Sequence, residues 1–179
     1  WLMNFATHWG LKVELIDMEN PAAVQAALQP GKTKLVWVET PANPLWTITD
    51  IAATATIAHA ASALLAVDST VASPVLTRPI DHGADIVMHS TTKYFGGHSD
   101  VLGGALAFKR GDAFYQRVAH RLHITGAVMA PFNAWLTLRG CRSLPARMAL
   151  HCSNARKVAE FLEAQPQVER VNYPGLATH

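Results

Sequence analysis

Cysteine is scarce: Cys141 and Cys152 are the only two in 179 residues and form no CxxC pair. That excludes zinc-finger spacing and a disulfide-stapled secreted scaffold, and fits a reduced, cytoplasmic protein. Long apolar runs are missing as well, because Pro, Asp, His or Gly interrupts each candidate before the roughly 18 residues a membrane span needs. No signal peptide is visible. Charge of one sign is not in excess; the net charge is +2 and the 15 basic residues are scattered, so no nucleic-acid surface is expected. The nine histidines form no ligand set: His120 and His123 are three apart, but no Glu or Cys completes a zinc site. The dinucleotide fingerprint GxGxxG is absent, and "PGKT" at 30–33 imitates the end of a phosphate loop with Ala26 where its first glycine belongs.

What is present is apolar: half of the residues are hydrophobic, enough for a packed core in a chain of this length. The chain opens on Trp1 and stops at "VNYPGLATH", which reads as an excerpt of a longer protein.

Strand and helix patterns alternate. "LKVELIDM" (11–18) alternates apolar and polar residues as a strand does, and "NPAAVQAALQ" follows with an Asn cap and Pro at the first helical position. "TKLVWVET" (33–40) reads as a strand, and "TDIAATATIAHAAS" as a helix capped by Thr49 or Asp50. "ALLAVDST", "ADIVMHS" and "GGALAF" are nearly continuous apolar strands of the kind buried on both faces. Beyond Phe108 the pattern turns helical, in "GDAFYQRVAHRLHITG", "APFNAWLTLRG" and the long "SLPARMALHCSNARKVAEFLEAQ". This predicts an α/β fold with a mostly parallel sheet flanked by helices. The expected division is a large domain over 1–143, a connecting helix over 144–166, and the start of a small C-terminal α/β domain over 167–179, opening with a strand in "VERVNY".

In open parallel sheets, ligands bind beyond the carboxyl ends of the strands. Asn43 in "TPANP", Asp68 in "AVDST", and Ser90, Thr92 and Lys93 in "HSTTK" all follow apolar strands directly. A lysine partly desolvated in such a pocket becomes a nucleophilic amine able to form a Schiff base with an aldehyde, and pyridoxal phosphate supplies one. That cofactor also needs a carboxylate at its ring nitrogen, for which Asp68 is the candidate, and donors for its phosphate. In an extended segment Ser90 and Thr92 share one face and Lys93 takes the other. Asn43 could donate to the phenolic oxygen. His89 and His98 flank the lysine; Arg139 and Arg147 read as structural or interface residues. Taken singly, each site residue has a plainer reading, a solvated lysine, a capping aspartate or a turn-forming asparagine; the dense "HSTTKYFGGHSDVLGG" block argues against those.

"VETPANP", "AVDSTVASPVLTRPIDHGADIVMHSTTKYFGGHSDVLGGALAF" and "APFNAWLTLRGCRSLPARMALHCSNARKVAEFL" together closely resemble the Cys/Met-metabolism family of pyridoxal-phosphate enzymes. This family includes cystathionine γ-synthases, cystathionine lyases, O-acylhomoserine sulfhydrylases and methionine γ-lyases. The resemblance implies a fold type I, aminotransferase-like large domain. By it Lys93 matches the Schiff-base lysine, Asp68 the pyridinium partner, Ser90 and Thr92 the phosphate-contacting pair, and Asn43 the residue near the phenolic oxygen. Where the family pattern often has Asn after the aspartate and Ala or Cys between the hydroxyls, this chain has Ser69 and Thr91. The implied activity is elimination or replacement at the γ- or β-carbon of an O-acylhomoserine, cystathionine, cysteine or methionine class of substrate. "NPLWTITDIA" and "VDSTVASPVLTRP" are most similar to the cystathionine γ-synthase branch, with a sulfhydrylase or a cystathionine or methionine lyase as the alternative. The resemblance further implies a homotetramer built of dimers, and site groups supplied from beyond both ends of this chain and from a neighbouring subunit. The 179 residues alone are therefore expected to be inactive. A non-catalytic pyridoxal-phosphate domain and a nicotinamide oxidoreductase are the readings from other classes, and the missing GxGxxG counts against the second.

Overall fold

A computed structural model of the chain describes residues 3–179. Its centre is one four-stranded sheet in the order β1 (Leu35–Glu39), β2 (Leu64–Asp68), β3 (Ile86–Ser90) and β4 (Gly104–Phe108). The first three run parallel, with Glu39 opposite Asp68 and Asp68 opposite Met88. β4 returns antiparallel to β3, pairing Gly104 with Ser90, so the sheet is mixed. An antiparallel return needs no crossover helix, and between β3 and β4 the chain makes only one short helical turn, Thr91–Phe95.

The two helices that precede β1 and β2 each start on a cap legible in the sequence. Asn20 Oδ1 accepts from Ala22 N at 3.0 Å to open α1 (Pro21–Ala27), and Asp50 Oδ1 accepts from Ala53 N at 2.9 Å to open α2 (Ile51–Ala60). α2 lays Ile51, Ala55 and Ala58 over Val36, Val38, Leu65 and Val67 to form the core. A short helix α3 (Ser73–Leu76) and a 3-10 turn (Pro79–His82) link β2 to β3.

Burial on both faces holds for β2 and most of β3 but not for the sheet edges. Along β1 only Val36 and Val38 are buried while Leu35 and Trp37 are exposed, and β4 is open along nearly its whole length. Apolar character alone does not say which strand ends up at an edge. "LKVELIDM" forms no strand: within 11–18 the chain pairs with no neighbour, and Leu11 and Leu15 are exposed. Alternation describes a face, whereas a strand also needs a partner for its backbone groups. "VERVNY" likewise forms no strand among the described residues.

The helical half differs from the expectation in one respect. After α4 (Ala113–Thr125), a single helix α5 runs from Pro131 to Glu163, carrying Pro145 inside it. The two segments read separately, "APFNAWLTLRG" and "SLPARMALHCSNARKVAEFLEAQ", are therefore one element, and the 143/144 boundary falls within it. Among the described residues no helix is long and apolar enough to cross a membrane.

Candidate active site

Because β1, β2 and β3 are parallel, their carboxyl ends lie along one edge of the sheet, and each carries a polar residue into the loop that follows. Asn43 follows β1, Asp68 closes β2, Ser90 closes β3, and Lys93 lies three residues further on. The topology thus gathers four of the five candidate residues at one edge, and Thr92 lies beside Lys93.

The β2 and β3 ends are tied together by a residue that the sequence reading passed over. Thr70 Oγ1 donates to Asp68 Oδ1 at 2.6 Å and accepts from Ser90 N at 2.8 Å, while Thr70 N donates to the same Asp68 oxygen at 3.0 Å. A hydroxyl two residues after an aspartate is the signal that could have revealed it, since Asx turns use that spacing. The result is a half-buried Asp68 carboxylate whose direction is set by two donors.

His89 sits behind this edge, 7 % exposed. Its Nδ1 lies 3.1 Å from Ser69 O, so the Nδ1–H tautomer donates there, and its ring is 4.9 Å from that of Phe95. Burial pushes the imidazole pKa below its ordinary value, against the smaller opposing effects of the Ser69 carbonyl and the Asp68 charge. His89 is thereby a neutral link between the Asp68 loop and the lysine turn. His98 Nδ1 lies 2.8 Å from Gly96 O and folds onto the same turn.

The lysine turn is not extended. Residues Thr91–Phe95 coil directly after β3, and Lys93 departs from helical angles with φ −90° and ψ −120°. The one-face argument for Ser90 and Thr92 therefore fails, because side chains alternate only along a strand. The Thr92 hydroxyl instead closes the mouth of the loop, donating to Gly103 O at 3.3 Å and accepting from Gly103 N at 3.1 Å. Lys93 and Asn43 are exposed in this chain, so the partial desolvation expected of Lys93 is not supplied by residues 3–179. Asn43 N donates to Glu39 Oε1 at 3.3 Å.

The second support of the turn comes from α5. Gly140 is buried against Phe95 O and Gly96 O, so closely that a Cβ there would collide with both carbonyls. Tyr94 packs beside His151 with ring centroids 5.4 Å apart. Arg147 lies on the inner side of α5 against Gly97, whereas Arg139 is exposed.

The donor set suits pyridoxal phosphate: an accessible amine, an oriented carboxylate and a strand-end hydroxyl share one edge. Two fully buried hydroxyls with no partner, Ser69 Oγ and Thr91 Oγ1, adjoin Asp68 and Ser90 in the same loops. Buried polar groups in that condition are rare and concentrate where a further group completes the site.

The model of one protein family, described as Cys/Met metabolism PLP-dependent enzyme, matches residues 1–179. A probable cystathionine γ-synthase of Herpetosiphon aurantiacus is 47% identical over 173 residues, covering 97% of this chain and 54% of that protein. An L-methionine γ-lyase of Porphyromonas gingivalis is 46% identical over 177 residues, covering 96% of this chain and 44% of the relative. The solved structure of cystathionine γ-lyase from Lactobacillus plantarum complexed with L-serine superposes with a TM-score of 0.95 at 40% identity, over 99% of this chain and 46% of that one. The chain spans about half the length of the relatives it matches.

Proposed function

The chain belongs to the Cys/Met-metabolism family of pyridoxal-phosphate-dependent enzymes, and from that premise we propose that it forms the lysine-bearing part of an active site for elimination or replacement at the γ- or β-carbon of sulfur amino acids. The observation that carries the proposal is the meeting of Lys93 and the Thr70-oriented Asp68 at the carboxyl edge of one sheet. When bound, the cofactor supplies an aldehyde for covalent attachment and a protonated ring that withdraws electrons from the substrate.

The chain's own residues would then act as follows. Lys93 Nζ would hold the cofactor and, as a free amine, would take the proton from the substrate Cα and deliver one to the departing side. Asp68 holds a proton at the ring nitrogen, its carboxylate kept in line by Thr70. The Ser90 hydroxyl, free of the strand ladder, contacts the phosphate. Thr92 shares that role only if its hydroxyl turns from Gly103, so its main contribution is to shape the loop. Asn43 donates to the phenolic oxygen.

We assign residues 1–143 to the large cofactor-binding domain, 144–166 to a connecting helix and 167–179 to the start of a C-terminal domain. The working form is a cytoplasmic homotetramer built of dimers. Cystathionine γ-synthase chemistry is the first choice of reaction. A lyase reading has its own support, because a methionine γ-lyase is as similar as the synthase to within one percentage point. The test is borohydride reduction of the natural protein with pyridoxal phosphate, followed by peptide mass mapping. A band near the visible edge and a pyridoxyl adduct on Lys93 are expected; an adduct on another lysine, or none, overturns the assignment.

A further inference from the structure

Lys93 sits in a turn whose shape its own hydrogen bonds only partly secure. Gly96 N donates to Thr91 O at 2.9 Å and Gly97 N donates to Lys93 O at 2.8 Å. Gly97 has φ +77°, a left-handed conformation that glycine adopts without strain and, lacking a Cβ, leaves as easily. The turn must therefore be held from outside.

Arg147 provides a rigid body at that point. Its Nε donates to Ser143 Oγ at 3.0 Å and its Nη2 donates to Gly140 O at 2.8 Å, which bends the side chain back along α5 over two turns. Ser143 Oγ donates to the same Gly140 carbonyl at 3.2 Å. The guanidinium is pressed against Gly97: a Cβ on Gly97 would lie 2.5 Å from Arg147 Cζ. Nη1 is buried there without a hydrogen-bond partner, and among the described residues no carboxylate pairs with the cation. A half-buried arginine that makes no ion pair, and two of whose three guanidinium nitrogens bond its own helix, turns its remaining nitrogen to Gly97. Gly140, the anchor of that fork, is also the residue that touches Phe95 O and Gly96 O.

We propose that Arg147 is a positioning residue for Lys93: with Ser143 and Gly140 it braces Gly97, and through the Gly97 N–H to Lys93 O bond it sets the backbone angles from which the lysine amine projects. This rests on the function proposed above. The brace requires a planar group bonded through two nitrogens, so Lys at 147 cannot replace it despite keeping the charge.

The test compares Arg147→Met, Arg147→Lys, Gly97→Ala and the Arg147→Met/Gly97→Ala double variant of the natural protein, with Val24→Ala in α1 as a control for lost stability at a distance. Two properties are read: the rate at which hydroxylamine strips pyridoxal phosphate, and the pH midpoint of the long-wavelength cofactor band. Each Arg147 variant and Gly97→Ala should strip roughly tenfold faster, with a shifted midpoint. The double variant should be no worse than the worse single one, since residues in contact couple rather than add. Val24→Ala should move neither property. If Arg147→Met lowers the melting temperature but leaves both unchanged, or if the two single effects multiply in the double variant, the brace is wrong. Hydrogen exchange at the Gly97 amide separates this inference from the reading beneath it. If the unaltered protein takes no cofactor at Lys93, the functional reading falls, while faster Gly97 exchange in Arg147→Met still supports the brace and unchanged exchange overturns it.

Discussion

The middle of the sheet and the helical flank are built on different terms. Along β2, Leu65, Ala66 and Val67 are wholly inaccessible, and neighbouring α2 buries four residues in ten. α4 buries none of its thirteen, and α5 buries four of thirty-three. Three of those four, Gly140, Leu144 and Met148, cluster on the stretch that meets the lysine turn. Elsewhere α5 leaves Phe132, Trp135, Leu138 and Leu150 exposed. The comparison teaches where this chain is self-sufficient. The sheet centre completes its own packing and carries Asp68 and Ser90 at its strand ends, while α5 is buried chiefly along the stretch that meets the Lys93 turn.

The sharpest break in that comparison is chemical. Lys93→Ala should abolish the borohydride-trapped adduct and lower turnover of the natural protein by at least about 10²–10⁴-fold, as expected for loss of a proton-transferring group, while its melting temperature stays near that of the parent. An unchanged rate would place the chemistry elsewhere.

Next in size is packing. Leu65→Ala in the sheet centre should cost about 2–5 kcal/mol, whereas Leu150→Ala, on the exposed side of α5, should stay within about 0.5 kcal/mol if nothing covers that side. Denaturant titration of both variants measures the gap. A large loss at Leu150 would mean that the flank is buried in the natural protein, by chain or by subunit.

Thr70→Val removes the hydroxyl that joins Asp68 to Ser90. Loss of a hydrogen bond to a charged group should cost about 1.5–3 kcal/mol, and cofactor affinity should fall with it. Equal affinity in the variant, measured by equilibrium dialysis of pyridoxal phosphate, would show that Asp68 orients itself.

The smallest effect is on pH dependence. His89 has its pKa lowered in the folded state, chiefly by burial, so the unfolded chain binds the proton first as acidity increases. Stability should therefore be unaffected above the ordinary histidine value of about 6.5 and fall as pH drops below it, by at most about 1.4 kcal/mol per pH unit from this one group. His89→Gln should flatten that slope; chemical melts at pH 5 and pH 7 decide it.

Much of this arrangement was legible in advance, for identifiable reasons. The α1 and α2 caps and the strands ending at Glu39, Asp68 and Ser90 depend on local chemistry and short-range periodicity, and they appear within a residue or two of their expected limits. The segment "LKVELIDM" carried the same period but had no pairing partner, and the helical segments read separately on either side of Cys141 and Arg142 are one continuous helix. The shared face expected of Ser90 and Thr92 does not form, because that spacing assumed an extended backbone and the chain coils at Thr91. Thr70, His89 and Arg147 act through residues 20, 20 and 50 positions away, namely Ser90, Ser69 and Gly97, and single-residue patterns do not report such distances.

By itself the sequence determined the chemical inventory and its order along the chain: an amine, a carboxylate and hydroxyls, each placed just past an apolar strand. Family membership was legible from the same blocks, because those residues stay contiguous whatever the fold does with them. Only the tertiary structure decided that β4 turns back antiparallel, that Thr70 joins two strand ends, and that Arg147 leans on Gly97. The physical reason is that local propensity acts over a few residues, whereas register, close backbone approach and buried hydrogen bonds exist only once distant segments share one packed interior.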